Sequence, residues 1–135
     1  MNVPSVDIKD ILVAESSLGL TFAINLFVGK EPATPSDCIT IFDTPGKPPV
    51  LTFEGKNGEG YFYPSIQIRV RNLDYRTGWE LIDSIKEVLH GINNEVWNST
   101  HYDVIKCTQE PFLLDWDENG RARFVSTFDI QRKNF

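Results

Sequence analysis

The chain has 135 residues, 41% of them hydrophobic, with nine Phe, three Trp and four Tyr, enough apolar volume for one core that needs neither disulfides nor metal. Its formal net charge is −6, and its basic clusters are only the pairs Arg69/Arg71, Arg121/Arg123 and Arg132/Lys133. That excludes a sequence-reading DNA protein, because tight binding relies on several cations neutralising phosphates. An acidic surface is nevertheless compatible with a channel through which DNA slides without sticking. No apolar run approaches the roughly 20 residues of a membrane span, and Met1 to Asp7 has neither the basic region nor the apolar run of a signal peptide. A single domain over 1–135, kept inside a cell and not spanning a membrane, is the expectation.

Taken in chain order, Pro4-Ser5 followed by Val6, Ile8, Ile11 and Leu12 predicts a short helix over 5–16, with Asp7 where the helix dipole favours an anion. Residues 21–28 (TFAINLFV) read as a central strand, with Phe22, Ile24, Leu26 and Val28 on one face. The turn-rich 29–36 then leads to a second strand over 38–43, which suggests a hairpin with a long loop. Residues 44–64 hold four prolines and four glycines, too many for a regular element, although Val50 to Phe53 offers a short strand. A loop of this length is a candidate partner-contacting arm.

Strand 65–71 alternates Ile66, Ile68 and Val70 against Gln67, Arg69 and Arg71, the period of a strand with one buried and one solvated face. A helix over 74–90 follows, opened by Asp74 or by Thr77 and ended by Gly91. Trp79, Ile82, Ile85, Leu89 and Ile92 form its apolar stripe. Further strands are expected over 102–109 and 121–131, and Asp117-Glu118-Asn119-Gly120 between Phe112–Trp116 and the last strand is a strong hairpin signal. The fold class is therefore α+β: one antiparallel or mixed sheet of about five strands, helices packed on one face, and a C-terminal hairpin.

Few residues carry candidate chemistry. Cys38 and Cys107 have no metal-ligand spacing and read as free thiols, and Asn98-Ser99-Thr100 reads as a turn. Asp115, Asp117 and Asn119 before Gly120 mimic the opening of a calcium loop, but Ser126 stands where the closing Glu belongs, which favours a polar hairpin turn. Gly55 to Gly60 lacks the Ser or Thr of a phosphate loop. His90 and His101 lack a nucleophile or metal partner in sequence, so structural roles are expected. No catalytic residue, metal site or cofactor is expected. Arg69 and Arg71 are either solvated or paired with carboxylates of a neighbouring subunit. Trp116, Phe124 and Phe128 are either core or interface aromatics.

The order of these features resembles the tail-completion or minor capsid proteins of long-tailed bacteriophages, which are related in fold to tail terminators. The resemblance is carried by Asn25-Leu26-Phe27-Val28-Gly29-Lys30, Pro35 to Gly46, Pro64 to Arg71 with Asp74-Tyr75, and Asp117 to Arg121 leading to Phe128-Asp129-Ile130-Gln131-Arg132. It implies a virion protein of the tail or neck, assembled in the host cytoplasm. It also implies a ring, a hexamer, that caps the head-proximal end of the tail tube, stops tube growth and joins the head connector. The partners implied are further copies of the chain, the tail tube protein and a neck protein, with DNA passing through. A head-completion or connector adaptor is the neighbouring alternative, and a small enzyme using the histidines a more distant one.

Overall fold

The computed structural model describes residues 1–50 and 60–133. Helix α1 (Pro4–Ala14) has Pro4 in its first turn, where the missing N–H costs nothing. Strand β1 (Leu26–Val28) runs parallel to β2 (Cys38–Val50), which pairs antiparallel with β3 (Tyr61–Asn72). Helix α2 (Tyr75–Leu89) follows, then β4 (Asn93–Trp97), β5 (Thr100–Cys107), β6 (Phe112–Trp116) and β7 (Ala122–Lys133). The sheet order is β1-β2-β3-β7-β5-β4, and β6 also pairs with β7. Strand β7 is long enough to hold β3 along one edge and, on the other, β5 beside residues 128–133 and β6 beside residues 122–125.

Both helices cover one face. Ile39 and Ile41 of β2, Ile66, Ile68 and Val70 of β3, Phe124, Phe128 and Ile130 of β7 and Ile105 of β5 bury against Ile8, Ile11 and Leu12 of α1 and Ile82, Ile85 and Leu89 of α2. At roughly 25 cal/mol per Å² of apolar area, this shared layer is the main source of stability. Asp74 caps α2, its carboxylate accepting the Thr77 N–H at 3.0 Å, so Asp74 and not Thr77 is the cap. Gly91, at φ +94°, ends the helix in the left-handed region as expected.

Several expectations need correction. Among the described residues the sheet has seven strands, not about five. Residues 21–28 are not a central strand: Ala23 has φ +66°, Ile24 N–H and Asn25 N–H both donate to the Thr21 carbonyl, and only Leu26–Val28 is extended. Because β1 and β2 are parallel, residues 29–37 are a crossover and not a hairpin loop. The Pro- and Gly-rich 44–50 extends β2, with bulges between Thr44 and Lys47 and between Lys47 and Val50. Its prolines are tolerated because β1 covers β2 only through Ile41, leaving the rest as an edge. Gly46 is required there, since a Cβ would lie 2.1 Å from the Tyr63 carbonyl oxygen. Leu51 to Phe53 and most of the Gly55–Gly60 loop lie outside the described residues. The helix stripe is Gly78, Ile82, Ile85 and Leu89, and Trp79 is on the surface.

Candidate functional site

On the face away from the helices, three arginines hold the 29–37 crossover. Arg71, almost fully buried, donates from Nε to the Ser36 carbonyl at 3.1 Å and from Nη2 to the Pro35 carbonyl at 2.7 Å, with Glu31 3.5 Å from its Nη1. Arg121 donates to the Ala33 carbonyl at 2.9 Å and pairs with Asp117 at 2.6 Å. Arg123 makes a two-pronged contact with Asp115, both bonds 2.6 Å, and reaches Glu31 at 3.3 Å. The Arg123 hydrogen bond is the main cause that holds the Asp115 carboxyl below its usual range. Local sequence spacing could not reveal this network, whose partners on the crossover are up to 92 positions away.

The residues proposed for subunit contact therefore separate. Arg71 donates to the chain's own loop, and Phe124 and Phe128 are fully buried in the helix-side core. Arg69 is half-buried, its guanidinium 5.0 Å from the Phe42 ring centroid and its Nε donating to Gln67 at 3.0 Å. Trp116 is 51% exposed. It stacks on Tyr75 with ring centroids 6.0 Å apart, and Tyr75 meets buried Phe124 edge-on at 5.1 Å. With Trp79 one helical turn on from Tyr75, an aromatic surface forms where α2 begins beside the β6–β7 hairpin.

That surface was missed in part. Trp79 lies about 100° around the helix from Gly78, and a hydrophobicity pattern assigns the large apolar residue, not the glycine, to the core.

The remaining features are structural. The sheet curls until Pro45 to Lys47 of β2 and Val104 and Lys106 of β5 line one concavity of about 420 Å³. On its floor Ser65 donates to Asp129 at 2.6 Å. His90 Nδ1 accepts the Cys107 N–H at 2.9 Å, tying the end of α2 to β5, and the His101 ring lies 2.7 Å from Asp103. Asp117 is occupied by the N–H groups of Asn119 and Arg121 and by the Arg121 side chain, as a turn requires. Asn98 and Ser99, at φ +51° and +64°, are the two-residue turn between β4 and β5. Cys38 and Cys107 are free, and burial raises the Cys38 thiol. Among the described residues no group of three His, Cys, Asp or Glu is placed to hold a metal, and no helix is long and apolar enough to cross a membrane.

Comparison with known proteins follows the same lines. A family model described as bacteriophage tail terminator protein matches residues 6–134. No curated protein matches. Among solved structures, a chain from the virion of a native gene transfer agent particle is similar at TM-score 0.70 and 10% identity, over 96% of this chain and 94% of that one. At such low identity the likeness is one of fold.

Proposed function

Because the chain belongs to the bacteriophage tail terminator family, we propose that it closes into a ring on the head-proximal end of a tail tube, stops tube growth there and forms the joint to the head connector. It is a structural protein of a phage particle and not an enzyme. Six copies is the number the family resemblance implies.

The observation that supports a ring is the open sheet with unlike edges. At the level of Phe124 the strand order is β1-β2-β3-β7-β6, so one side of the subunit ends in a short parallel strand and the other in the hairpin strand β6. Unlike edges associate head to tail, and a head-to-tail contact that closes makes a cyclic oligomer. An acidic ring also suits DNA passage, since the duplex is repelled from its walls.

The test is light scattering and negative-stain imaging of the purified chain, alone and with growing tail tubes. A ring with six times the 15.4 kDa subunit mass, and tubes of uniform length, is the expected result. A monomer that leaves tube growth unchanged overturns the reading, and association only with portal-side components replaces it with the adaptor role.

A further inference from the structure

We infer that neighbouring copies in the ring join by seating the Phe22–Ile24 turn of one subunit on the Tyr75–Trp79–Trp116 surface of the next, an inference that rests on the ring reading above.

The first patch is a turn built to present apolar side chains. Thr21 accepts the Ile24 and Asn25 N–H groups at 3.2 and 3.1 Å, and the Asn25 side chain accepts the Thr21 N–H at 2.7 Å. The turn is thus fixed by its own hydrogen bonds, while Phe22 is 49% and Ile24 65% exposed. Ala23 in the left-handed region, at φ +66°, breaks the strand that would have alternated these residues. A bridge from Phe22 to Leu26 attaches the turn to β1, the outermost strand on that side.

The second patch lies at the opposite end of the same five strands, beside β6. Tyr75 (49%), Trp79 (42%) and Trp116 (51%) are all large, stiff side chains of the kind that dominate interface energetics. The Tyr75 ring is in contact with both Trp116 and Phe124, so little freedom is lost when a partner seats on it.

Position and charge both select a second copy as the occupant. The patches sit on opposite edges of one sheet, the arrangement a head-to-tail contact requires and a self-paired contact does not. The rims are also complementary. Exposed Lys30 follows β1, and Lys9, 4.8 Å over the Phe22 ring, is balanced by its 2.8 Å ion pair with Asp10, whereas Asp74, Glu80 and Glu118 adjoin the aromatics in sequence against Arg76, which pairs with Glu80 at 3.0 Å.

A head-to-tail contact has a signature in mixing. One variant carries Phe22→Asp with Ile24→Asp, the other Trp79→Asp with Trp116→Asp, and each retains one intact patch. Neither should form rings alone or on tail tubes, with circular dichroism and melting close to wild type. An equimolar mixture should give a two-chain species and nothing larger, because only one of the two junctions is intact. The milder Ile24→Ser and Trp79→Ser should weaken rings in the same direction, separating interface loss from misfolding.

Rings from either Asp variant, or a mixture that stays monomeric while wild type forms rings, overturns the inference and leaves the ring reading standing. Variants that form normal rings but fail to engage tubes overturn it too, reassigning the aromatics to the tail tube. If wild type forms no ring alone or on tubes, the ring reading fails and this contact fails with it.

Discussion

Gly78 faces Phe124 so closely that a Cβ on the glycine would lie 2.9 Å from the Phe124 ring. This contact sets the rotation of α2 over the sheet. With Gly78 inward, Ile82, Ile85 and Leu89 are fully buried and Trp79 is turned to the surface.

Stability should follow that rotation. Ile82→Ala removes fully buried methylenes and should cost about 2–5 kcal/mol. Trp79→Ala should cost less than half as much. Gly78→Ala gains about 1 kcal/mol of helix propensity but overpacks Phe124 by about 1–3 kcal/mol, so the net effect is destabilising and Gly78→Val is worse. Urea unfolding of the four variants checks the order. Equal losses for Trp79→Ala and Ile82→Ala would show the helix rotated the other way.

The two strand arginines should behave differently. Arg71→Ala removes the donors to the Ser36 and Pro35 carbonyls and one of the two arginines that face Glu31, which keeps Arg123, and leaving such acceptors without their donor costs about 1–3 kcal/mol. Arg71→Lys should recover little, because an ammonium lacks the planar fork that reaches separate carbonyls. Arg69→Ala should change unfolding by less than about 1 kcal/mol, since its partners are a ring face and a glutamine at the surface. If Arg69 contributes to a subunit contact, Arg69→Glu will weaken self-association at low salt without altering monomer stability. Unfolding and sedimentation on the same samples separate the two effects.

How much of this was legible from sequence depends on the range over which each feature is determined. The β3 alternation, the Ile82/Ile85/Leu89 stripe, Gly91 and the Asn119-Gly120 turn are local, and local sequence specifies them. Residues 22–24 have strand propensity, yet the Thr21–Asn25 hydrogen bonds override it. The prolines of 45–49 signal a loop unless one knows that this part of β2 is an edge, and that depends on where β1 ends. Asn98-Ser99 reads as a turn, but the polar 93–97 carries no strand pattern, so the β4–β5 hairpin is not announced. Arg71 reads in sequence as either solvated or paired with a neighbouring subunit, because nothing near it indicates that the 29–37 crossover folds over its strand.

Acid should loosen the molecule at two carboxylates. Asp115 is held below the ordinary value of 3.8 mainly by the Arg123 hydrogen bond, and Asp74 by the hydroxyl and then the N–H of Thr77. Both values are depressed on folding, so the stabilisation is fully present above the unfolded value and is lost as pH falls through the folded one. The contribution of these two carboxylates should therefore be constant above about pH 5 and decline below about pH 4. Asp115→Asn should be less stable at neutral pH and show a shallower acid slope. An unchanged slope would mean that the Arg123 pair contributes nothing to folding in water.

The Tyr102 hydroxyl donates to Asp7, a fully buried carboxylate that also accepts from Asn98 at 2.7 Å and Asn2 at 3.1 Å, with Arg132 3.7 Å away. Burial, then the Asp7 contact, pushes the phenol well above its usual value, so Tyr102 remains a donor at any ordinary pH. These groups tie α1 to β5, β7 and the β4–β5 turn. Tyr102→Phe keeps the packing and removes one donor, and should cost about 1–3 kcal/mol. Asp7→Ala should cost more, about 3–5 kcal/mol, because it leaves Arg132 buried without its anion. In the double variant the Tyr102→Phe loss should largely vanish, since the hydroxyl then has no carboxylate to serve. Urea unfolding of the two singles and the double closes that cycle, and additive losses would show that the two residues stabilise α1 independently.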